Sequence, residues 1–250
     1  MLDDLGAQVP LSHPPRRVVS LVPSLTEALA TTVPGVLVGA TSWCTQPADL
    51  DVVRVRGTKN PDRSLICSLA PDLVVANQEE NRRHDVERLR AAGIPVWVTR
   101  IDGVDDALTS LGRLFAEVFS LPHVGWLDAA RDVWAAPPNL RGRVAVAVWR
   151  DPWIWVGACT YPDDVLRRLG LVNVVCEQRY PSVGHTVPLA AHPDLFLLPD
   201  EPYPFTAADG PDVLAPSILL PGRSLFWYGP AMVDARASLE AALAERLGVA

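Results

Sequence analysis

The sequence predicts an α/β protein of two parallel-sheet lobes joined by a connecting backbone helix, with a ligand cleft where the lobes face each other. Three observations predict it. Arg17 to Pro23 and Arg143 to Arg150 are apolar runs without alternation, the mark of strands covered on both faces in a parallel sheet. Pro71-Asp-Leu-Val-Val-Ala-Asn-Gln-Glu79 is echoed by Pro193-Asp-Leu-Phe-Leu-Leu-Pro-Asp-Glu201, so each half carries an apolar strand that ends in an acid-bearing loop. Val104 to Ala136 separates the halves and carries apolar residues at helical spacing. The expected boundaries are residues 1–103 for the first lobe, 104–138 for the connecting segment and 139–250 for the second lobe.

In chain order, the strand at Arg17 to Pro23 runs into Ser24-Leu-Thr-Glu27, whose spacing predicts a capping box and a helix starting at Ser24. Pro34-Gly35 ends that helix, Val36 to Thr41 is a second strand, and Trp43 follows in a loop where solvent normally selects polar residues. Arg56 to Pro61 is a polar turn, Asp72 to Ala76 a strand, and Asn77 to Asn81 leads into a helix that buries Val86 and Leu89. Gly93 ends that helix and Pro95 to Ile101 closes the first half. In the connecting segment Leu108, Leu111, Leu114, Phe115 and Val118 line one face, and Pro122 suits the first turn of a second helix from Leu121 to Ala136. Beyond it come the strand at Arg143, a helix from Pro162 to Leu169 stopped by Gly170, a final strand at Ser217 to Pro221, and a C-terminal helix burying Leu239, Leu243 and Leu247.

A chain of 250 residues with 49% hydrophobic and 20% charged residues buries a sizeable core and is not disordered. Its net charge of -7 and lack of a basic stripe exclude nucleic acid as the main partner. Acids at Asp3 and Asp4 and no apolar run before Val18 predict neither a secretory leader nor a membrane span, which places the chain in the cytoplasm unless a leader has been removed. Cys44, Cys67, Cys159 and Cys176 have no paired spacing and read as reduced.

Walker, GxGxxG, GxSxG and HExxH signatures are absent, so no catalytic residue is assigned. Glu80 and His84 stand four apart at an expected helix start, and His185 lies in a loop. These three are the weak candidates for holding a metal, although a hydrated first turn and a surface imidazole account for them equally well. The aromatics form the stronger pattern. Trp43, Trp149, Trp153, Trp155, Tyr180, Tyr203, Phe205, Trp227 and Tyr228 fall in or beside loops that follow strands, where large flat rings suit a bulky, partly apolar ligand.

This order resembles the class III, or helical-backbone, substrate-binding proteins, which include cobalamin-binding and iron-siderophore-binding components of ABC importers. The likeness rests on Arg17-Val-Val-Ser-Leu-Val-Pro-Ser-Leu-Thr-Glu27, Gly57-Thr-Lys-Asn-Pro61, Ala70-Pro-Asp-Leu-Val-Val-Ala-Asn77, Glu79-Glu-Asn81, Trp149-Arg-Asp-Pro-Trp153, Asp200-Glu-Pro-Tyr-Pro-Phe205 and Trp227-Tyr-Gly229. It implies a non-catalytic receptor whose ligand is a bulky metal chelate, such as cobalamin, haem or a ferric siderophore, with no cofactor required. By the same resemblance Trp43, Trp149, Trp153, Tyr180, Trp227 and Tyr228 line the site. Thr58, Lys59 and Asn77 stand where the cobalamin-binding members use tryptophan, which leaves room for a more polar ligand.

Importer-coupled members dock on a permease through one exposed glutamate per lobe, and Ser64 and Thr186 occupy those places here. With no leader in view, the expectation is a cytosolic scavenger or carrier uncoupled from a transporter. The competing reading is a metal chelatase of similar two-lobed topology, which predicts His84 or His185 beside Glu79, Glu80 or Glu201. Aromatics outnumber acid–base candidates, which favours the receptor. Trp43, Trp153 and Trp227 are expected as walls of the site, and Trp43 and Trp227 as removable without unfolding the chain.

Overall fold

The computed structural model describes residues 1–209, 214 and 216–249, with the backbone alone for the last two. Its contacts divide the chain into two units. The first is Met1–Ile101 with Asp105–Ala129 and Tyr228–Pro230; the second is Asp102–Val104 with Ala130–Trp227 and Ala231–Ala250.

The first unit opens with β1 (Val18–Ser20), α1 (Pro23–Thr32), β2 (Leu37–Ala40) and β3 (Val53–Arg54), and a two-stranded hairpin of β4 (Arg56–Gly57) and β5 (Asn60–Pro61) follows. After α2 (Arg63–Ser68) come β6 (Leu73–Asn77), α3 (Arg83–Ala91) and β7 (Val96–Thr99). The sheet order is β3-β2-β1-β6-β7 with every pairing parallel, so the loops that follow these strands gather at one edge. β1 and β6 are buried along their whole length, as unalternating runs require. Val19, Leu21, Val74, Ala76, Val86, Leu89 and Val98 form the core between sheet and helices. Each valine or leucine among them contributes about 1.5–3 kcal/mol by leaving water.

The predicted capping box does not form. Pro23 occupies the first helical turn behind Val22, no side chain caps α1, and Ser24 is buried with its hydroxyl accepting the Tyr228 amide at 3.3 Å. Proline needs no partner for an amide at that position, so the helix starts one residue early and Ser24 is released for a distant contact.

The connecting segment is helical with a break. α4 (Val104–Arg113) continues as a π-turn over Leu114–Val118, and α5 (Gly125–Ala135) follows. Pro122 lies in the non-helical link rather than in a first turn, so the second helix begins at Gly125, later than Leu121. In the first unit the Trp126 indole donates to Thr32 Oγ1 at 2.9 Å; in the second the Trp134 indole donates to the Met232 carbonyl at 2.9 Å.

The second unit contains β8 (Leu140–Trp149), β9 (Ile154–Trp155), α6 (Tyr161–Leu169), β10 (Leu171–Asn173), α7 (Thr186–Ala190), β11 (Leu195–Pro199), β12 (Ser217–Leu220), α8 (Gly222–Phe226), α9 (Met232–Ala244) and β13 (Gly248–Val249). Its parallel path is β10-β8-β11-β12, and β9 and β13 each join β8 antiparallel. β13 was not foreseen, and it makes Ser217–Leu220 the penultimate strand. Leu247 is buried just beyond α9 rather than on it. α6 ends as its sequence predicts, on Gly170 at φ 95°, a left-handed conformation that glycine enters without strain.

The echo between Pro71 and Pro193 is structural as well as sequential. Asp72 Oδ2 accepts from the Arg17 amide at 2.9 Å, and the Asp72 amide donates to the Arg17 carbonyl. Asp194 Oδ2 accepts from the Arg143 amide at 2.7 Å, and the Asp194 amide donates to the Arg143 carbonyl. Each arginine also reaches back with its guanidinium, Arg17 to the Leu69 carbonyl and Arg143 to that of Ala191. Within each unit the same clamp therefore ties one strand, just before β1 or at the fourth residue of β8, to the start of its neighbour, β6 or β11.

Candidate functional site

In the first unit the strand ends are organised by Asn77 and Asn81. Asn77, at the end of β6, is 3% exposed; its Oδ1 accepts from the Glu79 amide at 2.8 Å and the Glu80 amide at 3.2 Å, while its Nδ2 donates to Thr99 Oγ1. Asn81 Oδ1 accepts from the Asn77 amide, and its Nδ2 donates to the carbonyls of Leu21 at 3.2 Å and Thr58 at 3.0 Å. The two amides hold the β6–α3 loop and the β4–β5 hairpin against the end of β1. Asn77 thus supports the loop. Asn81 is the supporting residue that sequence reasoning passed over, and its only signal is the i, i+4 pair of asparagines across a loop.

The side chain that this loop presents is Glu80. Its Oε1 accepts from the Tyr228 hydroxyl at 3.0 Å, and burial pushes its pKa from 4.5 up to about 7, against the opposing effects of Tyr228 and Lys59. Lys59 Nζ donates to the Glu79 carbonyl at 2.5 Å. Its pKa lies below the usual value because surrounding protein desolvates it, with Glu80 opposing and Arg82 adding to the shift. Thr58 is half-buried, and its carbonyl is taken by Asn81. Trp43, in the loop after β2, is 56% exposed, and a Cβ placed on Gly57 would lie 3.4 Å from its indole nitrogen.

The second unit carries a ring cluster at the ends of β8 and β11. Trp153 stacks on Trp155 at 5.3 Å and on Phe205 at 6.1 Å, with interplanar angles of 16° and 12°. Trp149, 38% exposed, meets Tyr203 edge-on at 5.4 Å, and Tyr203 leans on Phe205 at 4.6 Å. The Arg150 guanidinium lies 5.6 Å from the Trp153 ring, and its charge is balanced by an ion pair with Asp209. Tyr180 is half-buried in the loop after β10. Trp227 and Tyr228, expected in the wall of the site, are both 5% exposed. Trp227 packs under Arg223, and its indole donates to Glu201, whose pKa is raised by burial and then by Asp200.

The weak metal candidates do not assemble. α3 begins at Arg83, so Glu80 lies in the asparagine-held turn and shares no helical face with His84, which is exposed. His185 leans on Trp153 at 6.2 Å in the other unit. Among the described residues no group of three or more His, Cys, Asp or Glu is placed to hold a metal ion.

The fold is shared with solved proteins. The structure superposes on the periplasmic vitamin B12 binding protein BtuF of Vibrio cholerae with a TM-score of 0.72 at 21% identity, covering 92% of this chain and 97% of that one. The chain has the fold of the helical-backbone substrate-binding proteins. A periplasmic haem binding protein from Pseudomonas aeruginosa shares this fold at a TM-score of 0.77 and 20% identity, over 94% of this chain and 95% of that one. In sequence, a vitamin B12-binding protein of Vibrio cholerae serotype O1 is 25% identical over 194 residues, 73% of this chain and 70% of its own length. No family model matches.

These similar proteins are binding proteins, not enzymes, so the comparisons give the chelatase reading no support. They also overturn the cytoplasmic placement and the cytosolic scavenger drawn from it. The two solved proteins named above are periplasmic, and the opening residues of this sequence do not decide the compartment. Among the described residues no helix is long and apolar enough to cross a membrane.

The raised Glu80 pKa has a consequence for stability. The fold favours the protonated carboxyl, so its contribution is complete below 4.5 and is lost as pH rises through about 7. Glu80→Gln is therefore expected to be more stable than the parent at pH 8 by about 1–3 kcal/mol, and close to it at pH 4. Urea unfolding of both chains at the two pH values measures this. A difference that is the same at both would remove Glu80 ionisation as its cause.

Proposed function

We propose that this chain is a non-catalytic periplasmic receptor for a bulky metal chelate, a corrinoid or a haem, which it holds on aromatic rings at the carboxyl ends of its parallel strands. The observation that carries the reading is Trp43. A Trp ring left 56% exposed on a loop braced by a hairpin offers a large apolar face at little ordering cost. Trp149 and the stacked Trp153 give the second unit a similar flat surface beside the Arg150–Asp209 pair. The relatives that bind vitamin B12 and haem supply the ligand class. Ser64 and Thr186 are exposed at the starts of α2 and α7, so a permease that meets these two points finds hydroxyls where importer-coupled members offer glutamates.

Titration with cyanocobalamin, haemin and a ferric siderophore, followed by intrinsic fluorescence, tests this. Quenching by a corrinoid or haemin at micromolar protein is expected, dominated by Trp43, Trp149 and Trp153. Trp97 and Trp134 are sealed in the core and should respond less. No change with any of the three ligands would mean that the loop rings serve packing alone.

A further inference from the structure

The aromatic reading makes no use of Glu80, although the β6–α3 loop is built to present it. Tyr228 fixes Oε1 by donating to it at 3.0 Å, and among the described residues Oε2 has no hydrogen-bond partner. Glu80 as a residue is half-buried, and its carboxyl is desolvated. Around it stand Tyr228 from the segment before α9, Lys59 from the β4–β5 hairpin and Cys44 from the loop after β2, with Glu79 and Arg82 beside it on its own loop. Lys59, exposed on the hairpin, gives one of its three ammonium N–H groups to the Glu79 carbonyl at 2.5 Å.

We propose that Glu80 is a specificity-determining residue whose carboxyl accepts a hydrogen bond from an uncharged donor on the ligand's rim, so that the chain prefers an amide-edged chelate to a carboxylate-edged one. The proposal rests on the binding reading above and chooses between its two ligand classes. An ionised carboxylate only accepts hydrogen bonds, which an amide N–H satisfies. A second carboxylate brought to the same desolvated place is repelled unless one of the two is protonated. Corrinoids carry primary amides around the ring, whereas haem carries two propionates. Because burial holds Glu80 near pH 7, the preference should sharpen between pH 6 and pH 8, where a charge-assisted bond replaces a neutral one.

The test compares cyanocobalamin with the monoacids made from it by hydrolysing one peripheral amide, with haemin alongside, at pH 6 and pH 8. The parent chain is expected to bind cyanocobalamin at least about tenfold more tightly than one or more monoacid isomers at pH 8, with a smaller gap at pH 6. Glu80→Gln, nearly isosteric, should close the gap at pH 8 and flatten its pH dependence. Tyr228→Phe frees the carboxyl from its orienting donor and should narrow the gap while the pH dependence persists. If no isomer is discriminated at pH 8, or if the gap survives in Glu80→Gln, the assignment is overturned while the binding reading stands. A parent chain that binds neither cyanocobalamin nor haemin overturns both.

Discussion

Trp227→Ala is expected to destabilise the chain by about 3–5 kcal/mol, measured by urea unfolding. The ring is 5% exposed, the Arg223 guanidinium lies 5.7 Å from its centre, and its indole donates to the half-buried Glu201 carboxyl. Its carbonyl accepts from the Tyr161 hydroxyl at 3.2 Å, which ties the segment to α6. Truncation leaves a cavity and removes the donor that offsets Glu201's desolvation, two costs that add. Gly222 packs so closely that a Cβ there would lie 2.6 Å from Glu201 Cγ, so Glu201 has little freedom to find another partner. Trp227→Phe keeps most of the volume and loses only the donor, and should cost about 1–2 kcal/mol. Should Trp227→Ala unfold at the parent's urea midpoint, the ring would not be a core residue, and the sequence expectation of a removable wall residue would be restored.

Strands were legible in the sequence wherever burial on two faces forced an unbroken apolar run, as in Val18–Ser20 and Leu73–Asn77. The repeated Pro-Asp-Leu was legible because the aspartate performs the same job twice, accepting from the amide of Arg17 or Arg143. What failed was set by residues far apart in the chain. Ser24 has the right neighbours for a capping box, but its hydroxyl serves an amide 204 residues away. The spacing of Glu80 and His84 suits a helix, but Asn77 takes the amides of Glu79 and Glu80 and holds the chain in a turn. A loop aromatic after a strand can be a free face or a plug. Trp43 and Trp227 look alike in the sequence, and only the partners around Trp227 separate them. The compartment is not written in the folded residues at all, which is why reading it from the first few residues went wrong.

Trp43→Ala is expected to weaken binding of the favoured chelate about 5- to 150-fold, a loss of about 1–3 kcal/mol, while changing stability by no more than about 0.5 kcal/mol. The separation of the two effects follows from exposure. At 56% exposed, Trp43 has little buried area to lose on truncation, whereas a ligand laid on its face would desolvate that area and make the ring an anchor. Trp153 does not offer this separation, because its stacking on Trp155 and Phe205 makes it part of the core it would present, so Trp153→Ala should lower affinity and stability together. Calorimetric titration with cyanocobalamin and with haemin, paired with urea unfolding of the same preparations, reads both quantities. Trp43→Phe should recover part of the affinity, since a smaller flat ring still stacks. Unchanged affinity for both ligands in Trp43→Ala, in a chain that unfolds like the parent, would remove Trp43 from the site and with it the observation on which the binding reading stands.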